Sequence, residues 1–476
     1  MRTAPENAPE TIAAVATPPG EGGIAIVRAS GPDAIALAAR IFRPARPGDA
    51  TRYAGYTAHY GRFFDAKTGE SVDDGLLTVF RAPHSYTGEN SVELSCHGGT
   101  VTTAKVLRLA LEAGARLARP GEFTLRAFLN GRIDLAQAEA VADVIRAGTD
   151  AAQKLARRQL DGALSRAVTA LREELIGILA AIEVSIDFSE ETGELDYAVL
   201  TPRIEKARRD VSRLLETAER GRILREGLRV AIVGRPNVGK SSLLNALLRA
   251  DRAIVTPIAG TTRDALEESA NLSGLPVVLT DTAGIRETDD VVERIGVTRA
   301  KAAAAQADVA LLVLDAAAGL TAEDREILQA LRGGGAEESP ARIVFAANKR
   351  DAASESQIVA ILTDCAALAY AGDSSVAVSA QTGAGLAELE ARLTESGSEV
   401  GAAPDAVIVS NARHREALEA ALNSLMEAER TANLRLPGDF VAIDIRGATE
   451  AIGQITGETV TEDIIHRIFR DFCVGK

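Results

Sequence analysis

The stretch Leu228-Arg-Val-Ala-Ile-Val-Gly234 runs through Arg-Pro-Asn-Val into Gly239-Lys240-Ser241. The middle of the chain therefore reads G-x-x-x-x-G-K-S, with a short apolar strand before it and a helix-forming run, Ser242-Leu-Leu-Asn-Ala-Leu-Leu248, behind it. Strand, glycine loop and helix in that order restrict the region to an α/β phosphate-binding unit. The glycines let backbone N–H groups wrap a polyphosphate, and the helix N-terminus adds a favourable dipole. Asn237, Val238, Gly239, Lys240, Ser241 and Ser242 form the expected phosphate-binding set. Lys240 meets the β/γ-phosphates and Ser241 holds Mg²⁺ in this reading. Outside such a context the same letters describe a glycine turn with no ligand.

Three further segments follow in order. Asp281-Thr282-Ala283-Gly284 comes after the apolar run Pro276–Thr280. An Asp at a strand end reaches Mg²⁺ through water, and the glycine offers its N–H to the γ-phosphate. Asn348-Lys349-Arg-Asp351 comes after Arg342–Ala347, and the Asp351 carboxylate can accept from the two adjacent N–H donors of guanine, which adenine lacks. Ser379-Ala380-Gln381 comes after Val376–Val378 and fits a loop closing over the base. One tetrapeptide says little; the ordered set resembles a Ras-like GTPase domain, which implies a mostly parallel, six-stranded sheet.

Ras-like enzymes orient the attacking water with a glutamine just past the D-x-x-G segment. Here that position is Ile285, which cannot hydrogen-bond water, so catalysis must draw on something else. Asn237 can ligate a monovalent cation, and the run Ala253–Asp264, containing Thr256-Pro257-Ile258-Ala259-Gly260-Thr261-Thr262, brings hydroxyls and carbonyls near the phosphates. Thr262 is placed to cover Mg²⁺, and a potassium ion bridging the phosphates can act as an arginine finger does. The competing reading is a solvated switch loop without a cation.

A length of 476 residues implies two to four domains, and 46% apolar content is ordinary for a folded chain. Trp is absent, which excludes tryptophan base-stacking platforms. Cys96, Cys365 and Cys473 are too widely spaced for a disulfide framework or a zinc pattern, and a reducing cytoplasm fits them. The first ten residues lack a signal-peptide apolar region, and no run reaches the ~18 apolar residues of a membrane span. The net charge of −14 argues against a protein that coats nucleic acid. Residues 201–230 do hold nine Arg/Lys against five Asp/Glu, which reads as a solvated helix face or, less simply, a basic patch.

Residues 1–130 read as strands and turns with a few helices. Thr11–Ala16 and Gly23–Arg28 flank the turn signal Pro18–Gly23, and Gly75–Phe80 and Ser91–Ser95 look like further strands. Beyond Asp134 the texture is helical. Leu164, Val168, Leu171, Leu175, Leu179 and Ile182 form one stripe, and a second helical run covers Thr201–Arg222. Strands and helices alternate from Leu228 to about Leu393. The end is helical again, with Leu418, Leu422 and Leu425, then Ile464, Ile468 and Phe472; Thr459 and Glu462 can make a capping box. Two one-sided helical blocks are most simply satisfied by packing on each other, with the nucleotide domain inserted between them.

The flanks narrow the field. Ala16–Gly23, Ser85-Tyr-Thr-Gly-Glu89 with Cys96-His-Gly-Gly99, Arg119–Thr124, Ala127–Asn130, Asp134–Glu139 and the terminal Phe472-Cys-Val-Gly-Lys476 resemble the tRNA-modification GTPases of the MnmE (TrmE) family, essentially end to end. Val474 stands where the family usually has Ile. The resemblance implies a multidomain α+β and α/β chain. Residues 1–130 would be an α+β formyltetrahydrofolate-binding and dimerisation domain, 131–226 and 394–476 the two parts of a discontinuous helical domain, and 227–393 the inserted Ras-like P-loop GTPase domain. It implies a cytoplasmic homodimer acting on tRNA with an FAD-dependent MnmG-type partner in a heterotetramer or larger complex. That machine adds an aminomethyl or carboxymethylaminomethyl group to C5 of the wobble uridine. It implies folate contacts at Arg28, Glu93, Arg132 and Lys476, K⁺ ligands Asn237, Thr256, Ile258 (by its carbonyl) and Thr261, Mg²⁺ ligands Ser241 and Thr262, and Glu293 as the residue that helps orient water. Cys473 reads equally as a buried small hydrophobe or a reactive thiol.

A second reading is a GTP-switched ribosome assembly factor, which shares the nucleotide motifs but has no use for the folate residues or the Cys-Val-Gly-Lys end. A scaffold with a dead nucleotide site is disfavoured, because Lys240, Ser241, Thr262 and Asp281 are all present.

Overall fold

The computed structural model describes residues 10–188, 195–250, 267–281, 306–333, 342–398, 406–470, 472 and 475. The chain begins with β1 (Ile12–Val15), β2 (Gly22–Ser30), α1 (Ala34–Ile41), β3 (Phe42–Pro44), β4 (Thr57–Phe64), β5 (Ser71–Phe80), β6 (Ser91–Gly98), α2 (Thr100–Glu112), β7 (Arg116–Leu117) and α3 (Glu122–Leu129). Helices follow: α4 (Leu135–Arg146), α5 (Asp150–Leu160), α6 (Ala163–Asp187), α7 (Tyr197–Leu215) and α8 (Ala218–Glu226). An alternating stretch comes next, with β8 (Leu228–Val233), α9 (Lys240–Ala250), β9 (Glu267–Leu272), β10 (Leu275–Asp281), β11 (Val309–Asp315), α10 (Ala322–Arg332), β12 (Arg342–Asn348), α11 (Glu355–Leu368), β13 (Ser374–Ala377) and α12 (Leu386–Ser398). The described helices after these are α13 (Ala412–Asn433), α14 (Gly438–Thr456) and α15 (Glu462–Arg470). Two compact units result, one of residues 1–142, 160–173 and 449–476, the other of 143–159 and 174–448.

In the first unit, the described strands form a sheet in the order β3-β4-β5-β6-β2-β1-β7, antiparallel except for β1 with β7. Alternation along the strands decides its faces. Val27, Leu77, Val79, Val92 and Leu94 point to one side and are covered by Ile35, Leu37, Ile41, Val106 and Leu109 from α1 and α2. Ile12 and Ala14 point the other way, onto Phe123 of α3. Phe128, Leu135, Ala138 and Phe469 form a separate apolar cluster.

In the second unit, the described strands run β13-β12-β11-β8-β10-β9, parallel except for β9 with β10. β8, β11 and β12 are apolar at nearly every position because both faces are covered. Val230 and Ile232 belong to one cluster, and Ala231 and Val233 to the other. Leu155 of α5 and Ile223 and Leu224 of α8 join the first of these clusters.

Several helical details depart from the sequence pattern. On α6 the fully buried position is Ile178 rather than Leu179, its neighbour on the other side of the same stripe. The run 201–222 is two helices. Thr217 breaks it: its hydroxyl donates to the Leu214 carbonyl at 2.6 Å and accepts from the Val409 N–H at 3.0 Å. Thr459 and Glu462 do not form a capping box, because α15 begins at Glu462 itself and Thr459 Oγ1 donates to the Glu450 carbonyl at 2.8 Å. On α15 the buried residue is Phe469, while Ile464 faces outward.

Of the nine cations in 201–230, eight lie within salt-bridge distance of an acid, among them Arg203 with Glu174, Arg208 with Glu429 and Arg222 with Asp308. Locally neutralised charge offers little to a polyanion, which favours the solvated-face reading of this stretch.

Candidate functional site

Because β13, β12, β11, β8 and β10 run parallel, the segments leaving β8, β10, β12 and β13 emerge on one edge of the sheet. An edge of this kind is where open α/β sheets bind ligands. The loop after β8 needs its glycines: Gly234 has φ +148° and a Cβ there would stand 2.5 Å from the Val313 carbonyl oxygen, while Gly239 has φ +94°. Asn237 also sits in the left-handed region, φ +62°, which Asn tolerates better than most residues.

Lys240 Nζ donates to the Gly234 and Arg235 carbonyls at 2.8 and 2.9 Å, so the ammonium is held inside the loop. Burial pushes its pKa below that of an ordinary lysine, and the charges of Asp281 and Glu323 pull it back. Ser241 Oγ donates to Asp281 Oδ2 at 3.0 Å. A hydroxyl beside a buried carboxylate is the oxygen donor set that suits Mg²⁺ at a phosphate site. Among the described residues no group of three or more His, Cys, Asp or Glu is placed to hold a metal ion.

At the other end of the edge, Asn348 is 2% exposed and acts as a staple. Its Nδ2 donates to the Val238 carbonyl at 2.9 Å and its Oδ1 accepts from the Ala380 N–H at 3.0 Å. The phosphate loop and the 379–381 loop are thereby fixed to one side chain. Asp351 lies exposed, with Oδ1 accepting from Ser379 Oγ at 2.5 Å. Lys349, at φ +62°, sends Nζ to Asp315 Oδ2 at 2.8 Å. Burial opposes ionisation of Asp315, but the Lys349 bond and the Ala317 N–H outweigh it and hold the carboxyl below the usual range. Gln381 is exposed beside them.

The first unit carries a second polar site. Arg28 and Glu93 are direct cross-strand partners on β2 and β6, so both side chains stand on the same face. Arg28 Nη2 and Nε both donate to Glu93 Oε1, at 2.8 and 3.1 Å, and Nη1 reaches the Gly475 carbonyl at 3.5 Å. The guanidinium lies 5.8 Å from the ring centres of both Tyr86 and Phe123. Burial raises the Tyr86 pKa, against the Thr124 hydrogen bond and the Arg28 charge. Arg132 is exposed, with its Cγ 3.3 Å from where a Cβ on Gly88 would sit. Arg28 and Glu93 form a cationic–anionic pair against aromatic faces, which suits a flat ligand with a carboxylate and a guanidine-like edge.

The remaining predicted residues lie outside the described ones: Thr256, Pro257, Ile258, Ala259, Gly260, Thr261, Thr262, Thr282, Ala283, Gly284, Glu293, Cys473 and Lys476.

Sequence reasoning passed over several partners. Asp315 closes β11 beside Lys349, 34 residues away in sequence, and only the register of β11 against β12 brings the two together. Tyr86 and Phe123 both sit inside family-like motifs but carried no role. Beneath them Ser30, Thr87, Glu89 and Arg126 form a network, with Ser30 Oγ 2.7 Å from both Thr87 Oγ1 and Glu89 Oε2, and Arg126 Nη1 3.1 Å from Glu89 Oε2. A cavity of about 260 Å³ elsewhere in the second unit, bounded by Asp143, Leu155, Gln159, Arg225 and Ser410, contains none of these residues.

Residues 135–473 match a family model described as the MnmE helical domain, and residues 11–132 one described as the GTP-binding protein TrmE N-terminus. The chain is 49% identical over 468 residues to a tRNA modification GTPase MnmE of Moorella thermoacetica, covering 98% of this chain and 99% of that one. It is 48% identical over 471 residues to the protein of the same name from Carboxydothermus hydrogenoformans, with 98% and 99% covered. Identity to the Chloroflexus aurantiacus protein of that name is 51% over 467 residues, with 98% and 100% covered.

Proposed function

The chain belongs to the MnmE family of tRNA modification GTPases, and from that premise we propose that it hydrolyses GTP to drive modification of C5 of the wobble uridine in a subset of tRNAs. The observation that carries the reading is the shared sheet edge, where Lys240, the Ser241–Asp281 pair and the Asp351–Ser379 pair converge. Lys240 and the backbone of 237–242 bind the phosphates, and Asp351 reads the guanine N–H groups. Ile285 cannot orient water, and the family resemblance gives that part to Glu293. Ser241 and Thr262 are the proposed Mg²⁺ ligands; Asn237, Thr256, Thr261 and the Ile258 carbonyl are the proposed K⁺ ligands. These cations supply electrostatic stabilisation of charge developing on the transferred phosphoryl group.

Arg28 and Glu93, with Arg132 and Lys476, bind a 5-formyltetrahydrofolate-type one-carbon donor. The cations take its carboxylates and Glu93 its pterin edge. The chain acts as a homodimer with an MnmG-type partner that carries FAD, in the cytoplasm. Cys473, three residues before Lys476, is the candidate reactive thiol.

Nucleoside analysis of tRNA from a strain lacking the gene is the direct test. Aminomethyl and carboxymethylaminomethyl groups are expected to disappear from the wobble uridine, and tRNA with both retained would remove the assignment. The cation role is tested separately by GTP turnover in KCl and NaCl at equal ionic strength. Turnover is expected to be at least about tenfold higher in KCl, a modest share of what an arginine finger provides; equal rates would eliminate potassium from the mechanism.

A further inference from the structure

Two acids at the start of α10 face two cations of the phosphate loop. Asp324 is the third residue of that helix and is 0% exposed. Its Oδ2 accepts from the Thr321 N–H at 3.0 Å and from Thr321 Oγ1 at 2.8 Å, half of a capping box. Its Oδ1 has no hydrogen-bond donor. That oxygen lies 3.5 Å from Nε of Arg235, the residue just after Gly234, and both Nε and Nη2 of Arg235 are themselves buried without an acceptor. Its neighbour Glu323 is close enough to act electrostatically on Lys240.

A buried carboxylate is tolerated only beside a counter-charge, and removing one partner strands the other. The capping interactions already use Oδ2, so they do not explain why Oδ1 is turned to the phosphate loop. The position of Arg235 does. Its carbonyl is one of the two on which Lys240 Nζ rests, at 2.9 Å. A glycine-bounded loop is soft by construction, and a planar guanidinium paired just after its first glycine restrains it where the lysine docks.

We propose that Arg235 is a positioning residue of the nucleotide site: its pairing with Asp324 anchors the phosphate loop to α10 and so fixes the carbonyls that hold Lys240. The inference deepens the GTPase reading and rests on it.

The test uses the full chain and the release rate of a fluorescent GDP analogue, followed by stopped flow, beside the thermal midpoint without nucleotide. Arg235→Met is expected to release the analogue about tenfold faster, the loss of one charge-assisted contact, and to lower the midpoint, because Asp324 is left unpaired. Adding Asp324→Asn removes the stranded charge and keeps an acceptor for the cap. In the double variant the midpoint should recover while release stays fast. Arg235→Lys should recover part of the slow release. If release returns to the wild-type rate together with the midpoint in the double variant, the pair is only structural and the proposal fails. Release from Arg235→Met at the wild-type rate has the same consequence. A wild-type chain that does not retain the analogue at all would instead remove the guanine-nucleotide reading itself.

Discussion

Asp351→Asn should turn a guanosine-triphosphate enzyme into a xanthosine-triphosphate enzyme, with a swing of roughly 10⁴ in the ratio of kcat/KM values. Ser379 Oγ donates to Oδ1 of this carboxylate at 2.5 Å. The side-chain orientation is therefore set before any base arrives. Guanine offers two neighbouring donors to the carboxylate. An amide in its place opposes one of them with its own N–H₂, whereas the 2-carbonyl of xanthine accepts from it. The Asn carbonyl oxygen can still take the Ser379 bond, so the loop should keep its shape. Parallel measurements with GTP and XTP decide the matter: an unchanged preference for GTP would mean that Asp351 does not read the base.

The second large effect is expected from Gly239→Ala. A Cβ at this position would stand 2.4 Å from Asn348 Nδ2, and φ is +94°. Asn348 cannot step aside cheaply, since it is buried and bonded both to the Val238 carbonyl and to the Ala380 N–H. Losing those two bonds costs about 1 kcal/mol each, and a left-handed alanine adds about 1–2 kcal/mol. If this falls on the binding-competent state, GDP affinity drops by two to three orders of magnitude, readable by titration calorimetry. Affinity within a factor of two of wild type would show that the loop and the base segment are not joined through Asn348.

Both predictions draw on residues that were legible in the sequence, and for a common reason. The phosphate loop, Asp281, the Asn348–Asp351 segment and Ser379 each follow an apolar strand directly, so local pattern and chemistry coincide. The sheet then needed no long-range information to gather them, because parallel strands deliver their ends to one edge. Pairings that depend on strand register or helix approach were not legible. Arg28 and Glu93 are 65 residues apart, and only the register of β2 against β6 makes them neighbours. Asp315 with Lys349 and Arg235 with Asp324 are of the same kind. Helical stripes fared between these cases. On α6 the pattern found the right face but chose Leu179 over Ile178, and on α15 it took Ile464 and Ile468 where the buried position is Phe469, one residue past Ile468.

The apolar cluster of Phe128, Leu135, Ala138 and Phe469 has a consequence for how the chain is made. Its first three members leave the ribosome long before the fourth. The first unit recruits residues 449–476 only after everything between 173 and 449 has been synthesised, on the order of tens of seconds at about 5–20 residues per second. Throughout that interval Phe128, Leu135 and Ala138 lack the Phe469 side chain that completes their cluster. Slow codons in the intervening stretch lengthen the exposure, and holding chaperones have a defined place to act.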